Sequence, residues 1–301
     1  MVGQSGRLER KSAGPTALRA GGGTVRSVQR AISDAFRDED RIMNKYHNMI
    51  KDDMGHPDGV IISDESGFPE KGKDSVGVSR QYCGSPGKAE NCQVGVSAAY
   101  ASPYGYALAD KRLFIPDKRF TEEYQGMRKK CGVPEEISSE TEPHPAAGMP
   151  ESFYMNGSLP FRYIMTDCLY GNSPEFAETA DSCAGKTFFP AVSSDTRCRF
   201  RHPSVRRKQY RYGGELKSKE AVPGSRPVCV PELKSISSCF RYKRKVSEGT
   251  EGPILYEFTE RKITPAGNGL PWKTVRLIVK RTCGKIRYTP IISAMLRKAH
   301  V

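Results

Sequence analysis

The sequence has no continuous apolar stretch near the roughly 18 to 20 residues that a membrane-crossing helix needs, which excludes a helical membrane span and makes a soluble protein the expectation. It also has no apolar core near its start. MVGQSGRLERKSAGPTALRAGGGT carries arginines but no signal-peptide h-region, so residues 1–23 read as a disordered basic lead-in. Nine cysteines occur without a single C-x-x-C pair, which excludes the usual zinc-finger spacings. Their odd number, without an export signal, fits reduced thiols in a cytoplasm. The histidines, His47, His56, His144, His202 and His300, show no i,i+4 spacing of the kind that holds zinc on a helix. GFPEKGK has the glycine spacing of a phosphate-binding loop, but Asp74 follows Lys73 where serine or threonine belongs, so nucleotide binding is excluded. Apolar residues are scarce, at 37%, and 21 prolines dilute the core further; mean hydropathy is -0.58.

Positive charge is abundant. The 301 residues carry a formal net charge of +14 and a pI of about 9.4. Basic groups displace counterions from phosphates, so a polyanion, nucleic acid first, is the expected partner. The densest basic tract is Arg197 to Lys219. It holds Arg197, Arg199, Arg201, Arg206, Arg207, Lys208, Arg211, Lys217 and Lys219, interleaved with Phe200, Tyr210 and Tyr212. This mixture suits phosphate contacts with occasional stacking on bases. Lys71, Lys73 and Arg80 form a smaller basic group.

Apolar spacing predicts two helices between Thr24 and Met54, with Asp38-Glu39-Asp40 supplying N-cap chemistry for the second. Gly59-Val60-Ile61-Ile62-Ser63-Asp64 reads as a buried strand ending in a carboxylate. Gln93 to Ala101 and Tyr104 to Ile115 form a hairpin through Ser102-Pro103, and Phe120 to Cys131 is helical. A helix is expected over Pro143 to Ser158, although Pro145, Gly148 and Pro150 oppose a clean one. A strand at Phe161 to Met165 follows, then a helix capped by Ser173 with Pro174 in its first turn, and a strand at Thr187 to Val192. Three strands, a helix, a strand, a helix and a strand fits several α/β folds by order alone; with acidic residues placed at strand ends, it predicts an α/β, RNase H-like mixed sheet with flanking helices. Beyond Arg197 short charged strands, including Ile254 to Glu260 and Thr274 to Lys280, predict a β-rich insertion subdomain. The expected divisions are a lead-in at 1–23, a helical segment at 24–55 as the remnant of a DNA-binding region, an RNase H-like core at 56–196, a basic insertion at 197–290 and an aberrant C-terminus at 291–301.

Metal-assisted phosphodiester cleavage needs carboxylates that converge from separate parts of the chain, because each divalent ion takes hard oxygen ligands. Asp64 and Asp167, each placed at the end of an expected strand, meet that description; Glu65 is expected to point to the opposite face if the strand continues. The surrounding strings add to this. DESGFPEKGKDSVGVSRQYCGSPGKAENCQVGV, Asp64 to Val96, resembles the first catalytic block of bacterial insertion-sequence transposases of the DDE type. TDCLYGNSPEF, Thr166 to Phe176, resembles their second block, and YALADKRLFIP and YKRKVSEGTEGPILYEFTERK continue the likeness in the same order.

The resemblance implies an RNase H-like DDE endonuclease acting in DNA transposition and recombination. It implies Mg2+ (or Mn2+) as cofactor, double-stranded DNA at transposon ends as partner, a homo-oligomer on paired ends, and a bacterial, nucleoid-associated place in the cytoplasm. Asp64 and Asp167 match the first two acidic residues of the triad, as catalytic and metal-binding groups. The family's final glutamate has no counterpart here, since TPIISAMLRKAHV ends the chain where the family continues. Glu70 stands where lysine is usual, and Gly148 to Met155 brings glycine and proline into the place of a long helix. The expectation from these departures is a truncated, inactive copy, with a non-catalytic DNA-binding remnant as the alternative.

Overall fold

In the N-terminal unit, residues 1–48, the helical spacing produces α1 (Val25–Ser33), whose cap Thr24 accepts a hydrogen bond from the Ser27 amide. A second helix, α2 (Glu39–Met54), begins in this unit and ends beyond its boundary. Asp38 Oδ1 accepts from the Arg41 amide at 2.9 Å, and Glu39 and Asp40 place negative charge at the positive end of the helix dipole. A computed structural model describes residues 14–15, 17, 24–34, 38–139, 141, 143–193, 195–213, 215–221, 226–229, 242–249, 252–267, 270–271, 273–282 and 293–298. Most of the expected lead-in, and Cys239, Cys283 and His300, lie outside the described residues.

The second unit, residues 49–301, is built on a long ladder. β1 (Val60–Pro69), β2 (Ser79–Cys83), β3 (Lys88–Ser102) and β4 (Gly105–Phe114) come first. Alternation along β3 buries Val94, Val96, Ala98 and Tyr100 while their neighbours stay partly exposed, the period of a strand with one face in the core. β3 pairs antiparallel with β1, β2 and β4. Two 3-10 turns and α3 (Gln125–Lys130) lead to α4 (Pro143–Asn156). β5 (Tyr163–Thr166), α5 (Cys168–Gly171), α6 (Pro174–Ser182) and β6 (Thr187–Val192) follow. β5 pairs parallel with both β1 and β6. The order β4-β3-β1-β5-β6, three antiparallel strands followed by two parallel ones, is the RNase H-like mixed sheet.

Helix α4 is continuous across Pro150. Proline has no amide to donate, so the Ala146 carbonyl four residues earlier loses its helical partner. The buried Ser63 hydroxyl, on β1 beside Asp64, reaches that carbonyl at 3.5 Å. The prolines and alanines of this helix face inward, and Gly148 leaves room for the Arg112 guanidinium, which an added Cβ would meet at 2.9 Å. The sequence conflict at Pro145, Gly148 and Pro150 is thus resolved by packing.

The remaining strands are β7 (Arg197–Arg199), β8 (Arg206–Tyr212), β9 (Glu215–Ala221), β10 (Val228–Cys229), β11 (Tyr242–Gly249), β12 (Gly252–Gly267), β13 (Leu270–Pro271), β14 (Val275–Thr282) and β15 (Ser293–Lys298). β15 pairs with both β6 and β14, so β7, β12 and β14 continue the same 13-stranded sheet. β8 and β9 stand apart as a two-stranded sheet. Cys83, Cys92, Cys183 and Cys198 are buried thiols, and burial pushes Cys183 and Cys198 up to about 11, as expected of unreactive core residues. Among the described residues no helix is long and apolar enough to cross a membrane.

The turn α5 lies so close to β6 that a Cβ on Gly171 would fall 2.0 Å from the Ala191 carbonyl oxygen, whereas one on Gly126 meets nothing within 4 Å. Gly171→Ala is expected to cost about 3 kcal/mol, the upper end of overpacking losses, and Gly126→Ala to be near neutral, both read from urea unfolding midpoints.

Candidate metal centre

Parallel pairing between β1 and β5 runs from Val60↔Tyr163 to Ser63↔Thr166 and then stops. The next residue on each strand is an aspartate, Asp64 and Asp167. The end of parallel pairing at the carboxyl ends of strands is where α/β sheets present their ligand sites. β1 does not end at Asp64, as the sequence had suggested, but continues on its β3 side through Asp64↔Ser97 and Glu65↔Val96 to Pro69↔Cys92. Past Ser63, then, no strand among the described residues pairs on its β5 side.

That open edge changes the reading of Glu65. Side chains leave alternate faces of a strand, and Glu65 was expected to point away from Asp64. Both can nevertheless curl over the free edge toward Asp167. One oxygen each of Asp64, Glu65 and Asp167 lie within 4.8 Å of one another. The signal was present in the sequence as two adjacent acids, but only the missing strand neighbour lets both serve one point.

Backbone amides hold the aspartates. Asp167 caps α5, its Oδ1 accepting from the Leu169 amide at 3.0 Å and the Tyr170 amide at 3.2 Å; Asp64 Oδ1 accepts from the Glu65 amide at 3.0 Å. In each aspartate these bonds fall on Oδ1 alone. Burial raises the Asp64 carboxyl above its ordinary value; the Glu65 amide works against that, and the Asp167 charge adds to it. Glu65 is raised in the same way, by burial first, against a lowering influence of the Tyr170 hydroxyl, with further repulsion from Asp167 and Asp64. Glu65 Oε2 is buried without a hydrogen-bond partner among the described residues.

A divalent ion fits this donor set. All three groups are hard oxygens, the charge is concentrated, and one oxygen is withdrawn from water without compensation. Opposite ligands of one magnesium ion lie about 4.2 Å apart at ordinary bond lengths. A spread of up to 4.8 Å therefore needs only a small side-chain adjustment. An open cleft of about 360 Å3, lined by Glu65, Ser66, Tyr82, Ser85 and Leu169 among others, begins at Glu65.

The basic residues are distributed differently. Lys71 and Lys73 are exposed on the loop after β1, and Arg80 is exposed on β2. The buried Arg119, which the sequence did not single out, ties that loop down by donating to the carbonyls of Lys73, at 3.1 Å, and Val78. Arg197, Arg201, Arg206, Arg207, Lys208 and Arg211 are exposed, but Arg199 is only 5% exposed and stands opposite Thr264 in the β7–β12 ladder. A buried guanidinium cannot reach a phosphate, so Arg199 belongs to the core. The side chain of Lys219 lies outside the described residues.

Raised carboxyl values fix the sign of a pH effect. Folding favours the protonated acids, so their contribution is fully present below the ordinary values, 3.8 for Asp64 and 4.5 for Glu65, and is lost as pH rises through the raised ones. In chelator at pH 7, Asp64→Asn is therefore expected to melt above the wild type, with the difference vanishing as the pH falls toward 3.8. A lower melting temperature at neutral pH would contradict the electrostatic account.

No curated protein matches this chain. A family model matches residues 1–252, most of the sequence and both blocks that carry the clustered acids. With its RNase H-like sheet and carboxylates at the end of the parallel pairing, the chain belongs to the DDE superfamily endonuclease family.

Proposed function

We propose that this protein is a transposase-type endonuclease that cleaves double-stranded DNA and transfers strands at transposon ends, using Mg2+ or Mn2+. The observation that carries this reading is the convergence of Asp64, Glu65 and Asp167 within 4.8 Å at the end of β1–β5 pairing. Asp64 and Asp167 alone would leave a hard divalent ion short of protein ligands; Glu65 offers a further oxygen. A bound ion would polarise the scissile phosphate and favour an oxygen nucleophile, water or a DNA 3′-hydroxyl. The chain's own part is to hold the oxygens still. The α5 amides fix Asp167, and packing of α5 against β6 fixes α5. The cleft beside Glu65 gives the substrate strand room next to the acids.

A second reading, DNA occupancy without cutting, draws support from the β8–β9 hairpin, where Arg206, Arg207, Lys208, Arg211 and Lys217 are exposed whatever the acids bind. Manganese separates the two. At a hundredfold excess over its dissociation constant the ion should stabilise the protein by about 2.7 kcal/mol, and it should switch on nicking of supercoiled plasmid. Asp64→Ala is expected to abolish the thermal shift and to lower nicking more than about a hundredfold, a barrier change of about 2.7 kcal/mol. Glu65→Gln should weaken both readouts. Binding of DNA without a manganese shift or nicking would favour the second reading.

A further inference from the structure

The hairpin carries more information than its composition. Among the described residues β8 and β9 pair only with each other, and residues 206–211 are exposed, so both faces of β8 are open. Tyr212 stands opposite Glu215 across a two-residue turn in which Gly213 takes φ +61°, the left-handed conformation that tight hairpins require. The register then sorts the basic residues into two rows. One row runs Arg206, Lys208, Tyr210 on β8, opposite Ala221, Lys219 and Lys217. The other runs Arg207, Gln209, Arg211, opposite Glu220, Ser218 and Leu216.

These rows differ in electrostatics. By register the first row brings together Arg206, Lys208, Lys217 and Lys219 with Glu215 as its acid, whereas the second has Arg207 and Arg211 with Glu220; like charges directly across a ladder are unfavourable. Lys217 has Glu215 at 4.0 Å. A face with such a surplus of basic residues is compensated when a polyanion lies on it. The spacing also suits DNA. Alternate residues on a strand recur about every 6.7 Å, close to twice the 3.4 Å rise per nucleotide of one DNA strand. A ribbon of two strands also fits a major groove about 12 Å wide. Tyr210, 43% exposed, continues the same row and offers an apolar surface beside the charges.

We propose that duplex DNA docks on the Arg206–Lys208–Tyr210 face of the β8–β9 hairpin, with Arg207 and Arg211 turned away from it. This rests on the reading of the protein as one that acts on DNA, but not on the metal centre. The test is anisotropy of a labelled duplex in chelator, with salt varied from about 50 to 200 mM. It compares two double variants that remove the same charge, Arg206→Ala with Lys208→Ala and Arg207→Ala with Arg211→Ala. Each phosphate contact contributes about 0.9 to the slope of log affinity against log salt. The first pair should therefore lower the slope by about 1.8, and the second should leave it unchanged. The single substitution Lys208→Gln, the milder change, should lower it by about 0.9, and Arg206→Lys with Lys208→Arg should restore the wild-type slope. Equal effects of the two pairs, a larger effect of the second, or no duplex binding by the wild type would overturn the proposal. Loss of manganese-dependent nicking with these slopes intact would instead count against the metal centre alone.

Discussion

The arrangement depends on a short parallel contact, the four residue pairs between β1 and β5 that end at Ser63↔Thr166. Because a ladder fixes register residue by residue, its last pair also fixes what comes next on each strand. Here that is an aspartate on both. One step of slip would bring Asp64 opposite a core residue, and the acids would no longer share a point. Several features serve to hold this register: Ser63 reaching the Ala146 carbonyl that Pro150 leaves open, Ile61 and Ile164 fully buried, and Gly171 admitting α5 against β6.

The same convergence costs stability, since three carboxylates placed together and partly withdrawn from water repel one another. A structure that keeps them there is poised to bind a cation, and the raised proton affinities of Asp64 and Glu65 are the apo expression of that strain. The basic hairpin carries the opposite charge, with Lys208 and Lys219 as register partners.

Much of the fold was legible because it rests on local chemistry. Ser173 capping a helix that begins at Pro174 is a matter of a few adjacent residues, and it stands as read. So do the β3–β4 hairpin and the strand Thr187–Val192. β2 was missed because SRQYC has too little apolar content to announce a strand; it exists through its pairing with Lys88–Cys92. Helix α4 was doubted because its prolines are unfavourable locally, and only burial against the sheet overrides that preference.

For the candidate site, the sequence by itself singled out two of the three clustered carboxylates, Asp64 and Asp167, from their strings and their places after apolar runs. It also determined the excess of basic residues. Only the tertiary structure decided that Glu65 joins the two aspartates, that Arg199 is buried, and that Arg206 and Lys208 share a face from which Arg207 and Arg211 are excluded. The reason is physical. Residue type and local spacing are properties of neighbours in the chain, whereas an open strand edge, a buried guanidinium and a cross-strand register arise from segments distant in sequence.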